Sequence, residues 1–225
     1  MSRARGGMLT RAVVGAAIII GAVVTLAATP AVAATRRSDM LSEVAAQTLA
    51  DLRAAQTHRA AVALGTEPAD SPDAAAAETV YAGDLGVLAN VVSPRTASAP
   101  DAFVAAWTAA GDTRMTVLLS ALAEVGVPYR RNTSNPGGGF DCSGLTMYAW
   151  SQVGVGLPHN DRAQMGQTAP RSWDTASAAD LVQYPGHVMM YAGAGHAIVD
   201  APHTGAWVRV VEYGGRRANL GSPLG

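Results

Sequence analysis

The chain of 225 residues contains a single cysteine and no lysine, so all 16 of its basic side chains are arginines. A lone thiol cannot form a disulfide within the chain, so Cys142 is either an inert buried side chain or a thiol retained for chemistry. Sixteen basic and 17 acidic side chains give a formal net charge of −1, which offers no basic surface for a nucleic acid. With one cysteine and no closely spaced pair of histidines, the sequence lacks a zinc ligand set, and we expect no metal and no cofactor.

The first 33 residues have the pattern of a secretion signal. Arg3, Arg5 and Arg11 precede or begin an apolar run over 13–26, and Ala31-Val32-Ala33 forms a small-x-small cleavage site. We therefore expect cleavage after residue 33, a secreted, cell-wall-associated protein, and no stable membrane span afterwards. Loss of the three arginines would leave 13 basic against 17 acidic side chains, a formal charge of −4. An uncleaved membrane anchor is the alternative, because the apolar run approaches spanning length.

The rest of the chain divides into a helical accessory segment, an irregular stretch and a dense C-terminal domain. Apolar residues at helical spacing predict an accessory helix within residues 34–65, which could pack on the domain, pair with a partner helix or act as a spacer. A cell-wall protein partner would bind through residues 35–65. Prolines and polar residues predict a linker and irregular segment over 66–100. Residues 101–225 form the domain.

Two helices are predicted between this irregular segment and the cysteine. The first covers 100–110 and stops at Gly111, and the second ends at Gly126, which Pro128 follows. The apolar stripe of the second helix consists of Met115, Leu118, Leu119, Leu122 and Val125. The glycine-rich stretch over 132–139 then predicts a loop.

Cys142 is predicted in the first turn of the next helix. Asp141 has the side chain of an N-cap, and Gly154 closes the helix. The unpaired amides and the positive dipole end at such a terminus favour a thiolate, which is the nucleophilic form of cysteine. The same amides can receive an oxyanion. The alternative is that Cys142 is a small buried side chain with no chemical role.

Five histidines could supply the base that a nucleophilic cysteine needs. His58 in the accessory helix and His159 in a loop are predicted at the surface, and His203 is predicted at the rim of the site. His187 begins a strand-like run, and a glycine-containing turn leads from it into a second strand that ends at Asp200.

The register of this hairpin decides which side chains meet. A turn centred on Gly193-Ala194 would place His187 directly opposite Asp200, with Cβ atoms about 4.5–5.5 Å apart. A carboxylate at that distance can hold an imidazole. The same register places His196 opposite Tyr191, roughly 13 Å along the strand from His187, which makes it the weaker candidate for the base. The alternative is that His187 is a core histidine and Asp200 a surface carboxylate, without a catalytic role.

Four motifs stand in order between residue 113 and the C-terminus. They are Phe140-Asp141-Cys142-Ser143-Gly144-Leu145, Ala179-Asp180-Leu181-Val182, His187-Val188-x-x-Tyr191-x-Gly193 and Val199-Asp200-Ala201-Pro202. Their residues and order resemble those of the NlpC-type cell-wall peptidases. The resemblance implies a papain-like α+β domain, in which a helical lobe that carries the cysteine packs on an antiparallel sheet that carries the histidine.

The resemblance also implies a reaction. The usual reaction of the family is hydrolysis of peptide bonds in peptidoglycan stems, commonly between D-γ-glutamyl and meso-diaminopimelate residues. Carried onto this sequence, it makes Cys142 the nucleophile and His187 the general base. Asp200 then occupies the third position, where it fixes the imidazole.

Three further residues match positions that the family uses around the substrate. Tyr129 matches a tyrosine near the oxyanion, and Asp141 and Ser143 match residues that help to hold substrate. Two departures stand out. Arg130-Arg131-Asn132 follows Tyr129 where relatives often have an aromatic residue and two glycines, which alters one wall of the cleft. Asp200 replaces the more usual histidine, although an aspartate can also hold the imidazole tautomer.

The sequence therefore predicts a secreted cysteine endopeptidase that acts on peptidoglycan stem peptides. An amidase or acyltransferase on the same fold is one alternative. A cell-wall-binding or partner-binding domain with weak or no catalysis is another. The accessory helix could also cover the cleft as an inhibitory segment.

Overall fold

The computed structural model describes residues 39–215 and 217–225. The secretion signal expected at 1–33 lies outside these residues. Within them, each helix is too short or too polar to cross a membrane.

The described residues form five α-helices and eight β-strands. The helices are α1 (Met40–Ala63), α2 (Pro72–Val92), α3 (Pro100–Leu122), α4 (Cys142–Ser151) and α5 (Asp161–Met165). α3 consists of two helical segments joined by a kink at Gly111, where φ is 75° and ψ is 171°, so the predicted stop at Gly111 is confirmed. The strands are β1 (Ser134–Asn135), β2 (Gly139–Phe140), β3 (Ala169–Arg171), β4 (Leu181–Tyr184), β5 (His187–Tyr191), β6 (Ala197–Asp200), β7 (Arg209–Glu212) and β8 (Asn219–Ser222).

The accessory helix is present as α1 and packs against the rest of the chain. Asp39 caps its N-terminus by accepting a hydrogen bond from the Leu41 backbone N–H at 2.9 Å. Its apolar stripe, which includes Leu41, Ala45 and Leu52, is fully buried and belongs to the same hydrophobic core as α3 and α4. Of the three arrangements open for this helix, packing on the domain is the one observed.

The prediction of a linker and irregular segment over 66–100 is wrong, because α2 occupies most of it. Ser71 accepts a hydrogen bond from the Ala74 backbone N–H at 3.3 Å, and Pro72 occupies the first turn. The proline and the polar residues that suggested a linker are therefore the start signal of a helix. Four alanines continue it with the highest helix propensity. Five residues of α2 are buried: Tyr81, Leu85, Leu88, Ala89 and Val92.

α1 and α2 both pack on α3, which indicates a structural role for these two helices. We expect a chain that lacks residues 34–99 to be less stable, because removal of these residues would expose the buried side chains of α3 to water. A midpoint of thermal unfolding well below that of the 34–225 chain would bear this out. Unchanged stability together with increased activity would instead support the inhibitory interpretation.

A six-stranded antiparallel sheet forms the second layer, in the order β3-β8-β4-β5-β6-β7. Its inner face contributes side chains such as Val188, Met190 and Val199 to the core beneath the helices. Its outer face carries a smaller apolar cluster, which consists of Val182, Met189, Tyr191, Ile198 and Leu220. The predicted α+β architecture is confirmed, with the cysteine at the start of α4 and the histidine at the start of β5.

The predicted register of the β5–β6 hairpin is wrong by two residues. Met190 pairs with Val199 and Tyr191 with Ile198, so the continuation of this register brings Met189, not His187, opposite Asp200. The cause is a longer turn over 192–196, whose two glycines, at 193 and 195, both have positive φ. Because side chains alternate with a period of two, this shift leaves His187 and Asp200 on the same face as diagonal neighbours.

Candidate active site

The thiol of Cys142 lies at the N-terminus of α4, as the sequence predicts, and is half-buried. The Asp141 carboxylate caps the helix by accepting a hydrogen bond from the Gly144 backbone N–H at 2.7 Å. The first turn of α4 runs against the preceding loop: a Cβ atom on residue 144 would lie 2.1 Å from the Thr133 carbonyl oxygen. Only glycine at this position allows the loop to pack there, so Gly144 fixes the backbone that carries Cys142.

The side chains of His187 and Asp200 form a hydrogen-bonded pair, despite the changed register. Nε2 of His187 lies 2.7 Å from Oδ1 of Asp200, and both side chains are almost fully buried. Oδ2 of Asp200 accepts a hydrogen bond from Nη2 of Arg209 at 3.2 Å. Because Asp200 occupies Nε2, the imidazole has Nδ1 left for the thiol, which is close enough to the ring to raise its pKa.

These contacts determine the charge of His187. Burial acts to lower its pKa, but hydrogen bonds with Asp200 and Cys142 and the attraction of their negative charges outweigh burial and raise the pKa to about 9. At neutral pH the imidazole is therefore protonated. An imidazolium is the natural counter-ion of a thiolate.

This raised pKa predicts a pH dependence of stability. The folded protein binds the His187 proton more tightly than the unfolded chain, whose pKa is near 6.5. The contribution to the free energy of unfolding is therefore complete below pH 6.5 and is lost as the pH rises through about 9. We expect a decrease on the order of 2–3 kcal/mol across this range. Urea unfolding of the protein and of His187→Gln between pH 6 and 10 checks it, and parallel curves would contradict it.

Tyr129 lies beside the cysteine, where the family resemblance places it. Its backbone N–H donates to the Ala206 carbonyl oxygen at 2.8 Å, and it bridges to Phe140 in the strand before α4. Burial raises the pKa of the Tyr129 hydroxyl, and the negative charges of Cys142 and Asp141 raise it further. The phenol therefore remains neutral and is a hydrogen-bond donor near the thiol.

Asp141 and Ser143 are both buried, and their polar atoms are engaged within the protein. Oδ1 of Asp141 accepts from Gly144 and lies 3.3 Å from Oγ of Ser143, while Oδ2 accepts from the Asn132 backbone N–H at 2.7 Å. The carbonyl oxygen of Ser143 accepts from Nε2 of Gln164 at 2.8 Å. These two residues hold the loop over 130–133 and the first turn of α4 in place.

His159 was expected at the surface but is a further partner of Asp141. Its Nε2 lies 2.8 Å from Oδ1 of Asp141, and its side chain is about one-third exposed. The sequence carries no local signal for this contact, because Asp141 precedes α4 along the chain and His159 lies in the loop that follows it.

The other histidines lie away from the thiol. His196 is in the β5–β6 turn instead of opposite Tyr191, and its ring packs on Trp173 at a tilt of 40°, with centroids 4.3 Å apart. His58 lies on α1 and contacts Glu67 at 2.9 Å. His203 is exposed and lines a cavity next to His187, in agreement with its predicted place at the rim.

The two arginines after Tyr129 have different surroundings. Nε of Arg130 donates to the Gly138 carbonyl oxygen at 2.9 Å, and its side chain packs over Gly139 in the small β1–β2 hairpin. This hairpin occupies part of the stretch that the sequence predicts as a loop. Arg131 is exposed and close enough to Tyr129 to lower the pKa of its hydroxyl. Arg131 is therefore the residue of the pair that adds positive charge near the Tyr129 hydroxyl.

An α+β fold with a cysteine at a helix N-terminus, facing a histidine on an antiparallel sheet, defines a papain-like domain. The model of the NlpC/P60 family matches residues 126–216. The chain belongs to the NlpC/P60 family, which confirms the resemblance drawn from the four motifs.

Two curated relatives and one solved structure illustrate the likeness. Over 167 residues the chain is 32% identical to the probable endopeptidase Cgl2188 of Corynebacterium glutamicum, covering 61% of this chain and 79% of that protein. Over 88 residues it is 40% identical to the bifunctional muramidase/DL-endopeptidase CwlT of Bacillus subtilis, covering 36% of this chain but only 27% of CwlT. The structure of Rv1477, a hypothetical invasion protein of Mycobacterium tuberculosis, matches with a TM-score of 0.45 and 25% sequence identity. The match covers 49% of this chain and 61% of that chain.

Proposed function

We propose that this protein is an exported cysteine endopeptidase that hydrolyses peptide-stem bonds of peptidoglycan. The observation that carries the proposal is the arrangement at the start of α4. Cys142 lies at the helix N-terminus near His187, whose pKa it raises, and Nε2 of His187 lies 2.7 Å from Oδ1 of Asp200. The names of the relatives, a probable endopeptidase and a DL-endopeptidase, support this class of reaction. The bond between D-γ-glutamyl and meso-diaminopimelate is the proposed target.

The acylation step uses the ion pair. The Cys142 thiolate attacks the scissile carbonyl carbon and forms an Sγ–C bond. The developing oxyanion lies at the backbone amides that begin α4, next to the neutral phenol of Tyr129. The C–N bond then breaks as the His187 imidazolium gives its proton to the departing amine, which leaves a thioester on Cys142.

The deacylation step reverses these roles. Neutral His187 takes a proton from water as the water oxygen attacks the thioester carbonyl carbon. The Sγ–C bond breaks, the stem is released as a carboxylic acid, and the thiolate–imidazolium pair is restored. Asp200 keeps its hydrogen bond to Nε2 throughout, so Nδ1 faces the reacting atoms in both steps.

Digestion of purified peptidoglycan sacculi tests the proposal. The 34–225 chain should lower the turbidity of a sacculus suspension and release soluble muropeptides, whereas Cys142→Ala should release none. Co-sedimentation of both proteins with sacculi separates hydrolysis from binding. Equal binding with no release by either protein would overturn the proposal and support a cell-wall-binding domain instead.

A further inference from the structure

A cavity of about 290 Å³ opens on the outer face of the sheet beside His187. Its lining includes three apolar side chains, Met189, Ile198 and Val211, which belong to or pack against the outer apolar cluster. Its polar lining includes His187, Asp200 and Arg209. The cavity therefore shares the imidazole and its carboxylate partner with the proposed catalytic site.

The strand register explains why Arg209 lies in this cavity. Arg209 on β7 pairs directly with Asp200 on β6, so both side chains lie on the same face of the sheet. The contact with Asp200 uses Nη2 of Arg209, and the side chain is about half exposed, at 49%. A guanidinium carries five N–H donors in a planar fork, so it can bind Asp200 and a second carboxylate at once.

The other charged residues of the lining do not offer this chemistry. Glu212 also lines the cavity, but its two carboxylate oxygens accept backbone N–H groups, Oε2 from Ala97 at 3.0 Å and Oε1 from His196 at 3.2 Å. His203 is exposed at the rim, with Nδ1 3.0 Å from the Thr204 carbonyl oxygen. Among the described residues that line this cavity, Arg209 is therefore the one permanent cation.

The proposed function places one particular part of the substrate here. Tyr129 and the first turn of α4 surround the carbonyl that becomes the thioester. His187 gives its proton to the departing amine, so the residue that carries this amine must lie against the imidazole. The lining of the cavity includes His187, Asp200 and Arg209 but neither Cys142 nor Tyr129, so the cavity lies on the imidazole side of the thiol. With the departing amine at Nδ1, the side chain of the leaving residue can extend past the ring into this cavity, whereas the acyl residue lies on the side of Tyr129.

We infer that this cavity binds the leaving residue of the stem peptide, and that Arg209 recognises a free carboxylate on the side chain of that residue. The inference rests on the proposed function. Beyond the proposed target bond, it adds that Arg209 makes the enzyme prefer a leaving residue whose side-chain carboxylate is free. A stem peptide in which this group is a carboxamide would lose the charge-assisted hydrogen bonds and leave the guanidinium without its second carboxylate.

Two synthetic stem peptides that differ only in this group test the inference. We expect the wild-type protein to cleave the carboxylate peptide with a kcat/KM about 10- to 100-fold higher than the carboxamide peptide, chiefly through KM. Arg209→Gln should bring the ratio of the two close to one. Loss of the hydrogen bond to Asp200 would lower kcat/KM for both peptides equally, so it would not change their ratio. Arg209→Lys should restore part of the preference, and Arg162→Gln, which changes an exposed arginine on α5, should retain all of it.

The outcomes separate this inference from the proposed function. If the wild type cleaves both peptides equally, or if Arg209→Gln keeps the full preference, Arg209 does not select the carboxylate. If neither peptide is cleaved, the proposed function fails. Calorimetric binding of both peptides to Cys142→Ala still tests the cavity in that case, because tighter binding of the carboxylate peptide supports the inference and equal binding overturns it.

Discussion

Replacement of Asp200 by asparagine should lower kcat for stem-peptide cleavage by about 10³- to 10⁴-fold while leaving the fold intact. A neutral asparagine amide would replace the charged carboxylate that accepts the Nε2 proton of His187, so the imidazole could adopt the wrong tautomer. The attraction that raises the pKa of His187 to about 9 would also be reduced. Steady-state kinetics between pH 6 and 9, with NMR titration of the His187 ring, measure both effects.

The matched control for this variant is Asp174→Asn, which removes an exposed carboxylate in the segment between β3 and β4. It should change neither kcat nor the titration of His187. If Asp200→Asn kept its full kcat and the pKa of His187 stayed near 9, Asp200 would not be the residue that positions the imidazole.

Replacement of Gly144 by alanine should destabilise the protein by several kcal/mol and abolish cleavage. In an exposed helix interior this change is normally favourable by about 0.5–1 kcal/mol, because alanine has the higher helix propensity. Here the added Cβ would lie 2.1 Å from the Thr133 carbonyl oxygen, so the loop or the first turn of α4 must move. Either movement displaces Cys142 relative to His187. Chemical denaturation and cleavage kinetics on the same preparation test both effects.

Gly83→Ala is the matched control, because Gly83 lies within α2 with open space where the Cβ would be placed. This variant should gain about 0.5–1 kcal/mol in the free energy of unfolding and retain its activity. If Gly144→Ala were instead as stable and active as Gly83→Ala, the close packing of the loop on α4 would not be what positions the thiol.

The parts of the site that depend on neighbouring residues could be predicted from the sequence. An N-cap, a helix start and a glycine-rich approach are local signals, and they correctly place Cys142 at the N-terminus of α4. The pairing of His187 with Asp200 was also correct, although the register behind it was not. The two side chains still meet because an error of two residues preserves the face of a strand.

The parts that depend on contacts between distant segments could not be predicted. His159 reaches Asp141 across 18 residues, and the place of Arg209 depends on a pairing of β6 with β7 that no motif indicates. The start of α2 was misread for a different reason. Ser71 and Pro72 are suited both to a linker and to the first turn of a helix, and only the buried face that follows distinguishes the two.

The most direct measurement is mass spectrometry of a defined tetrapeptide stem after incubation with the 34–225 chain and with Cys142→Ala. Cleavage between D-γ-glutamyl and meso-diaminopimelate yields two peptides whose masses sum to that of the substrate plus one water. We expect these two products with the wild type and intact substrate with Cys142→Ala. The same products from Cys142→Ala, or intact substrate from both proteins, would contradict the assignment of Cys142 as the nucleophile of a stem-peptide endopeptidase.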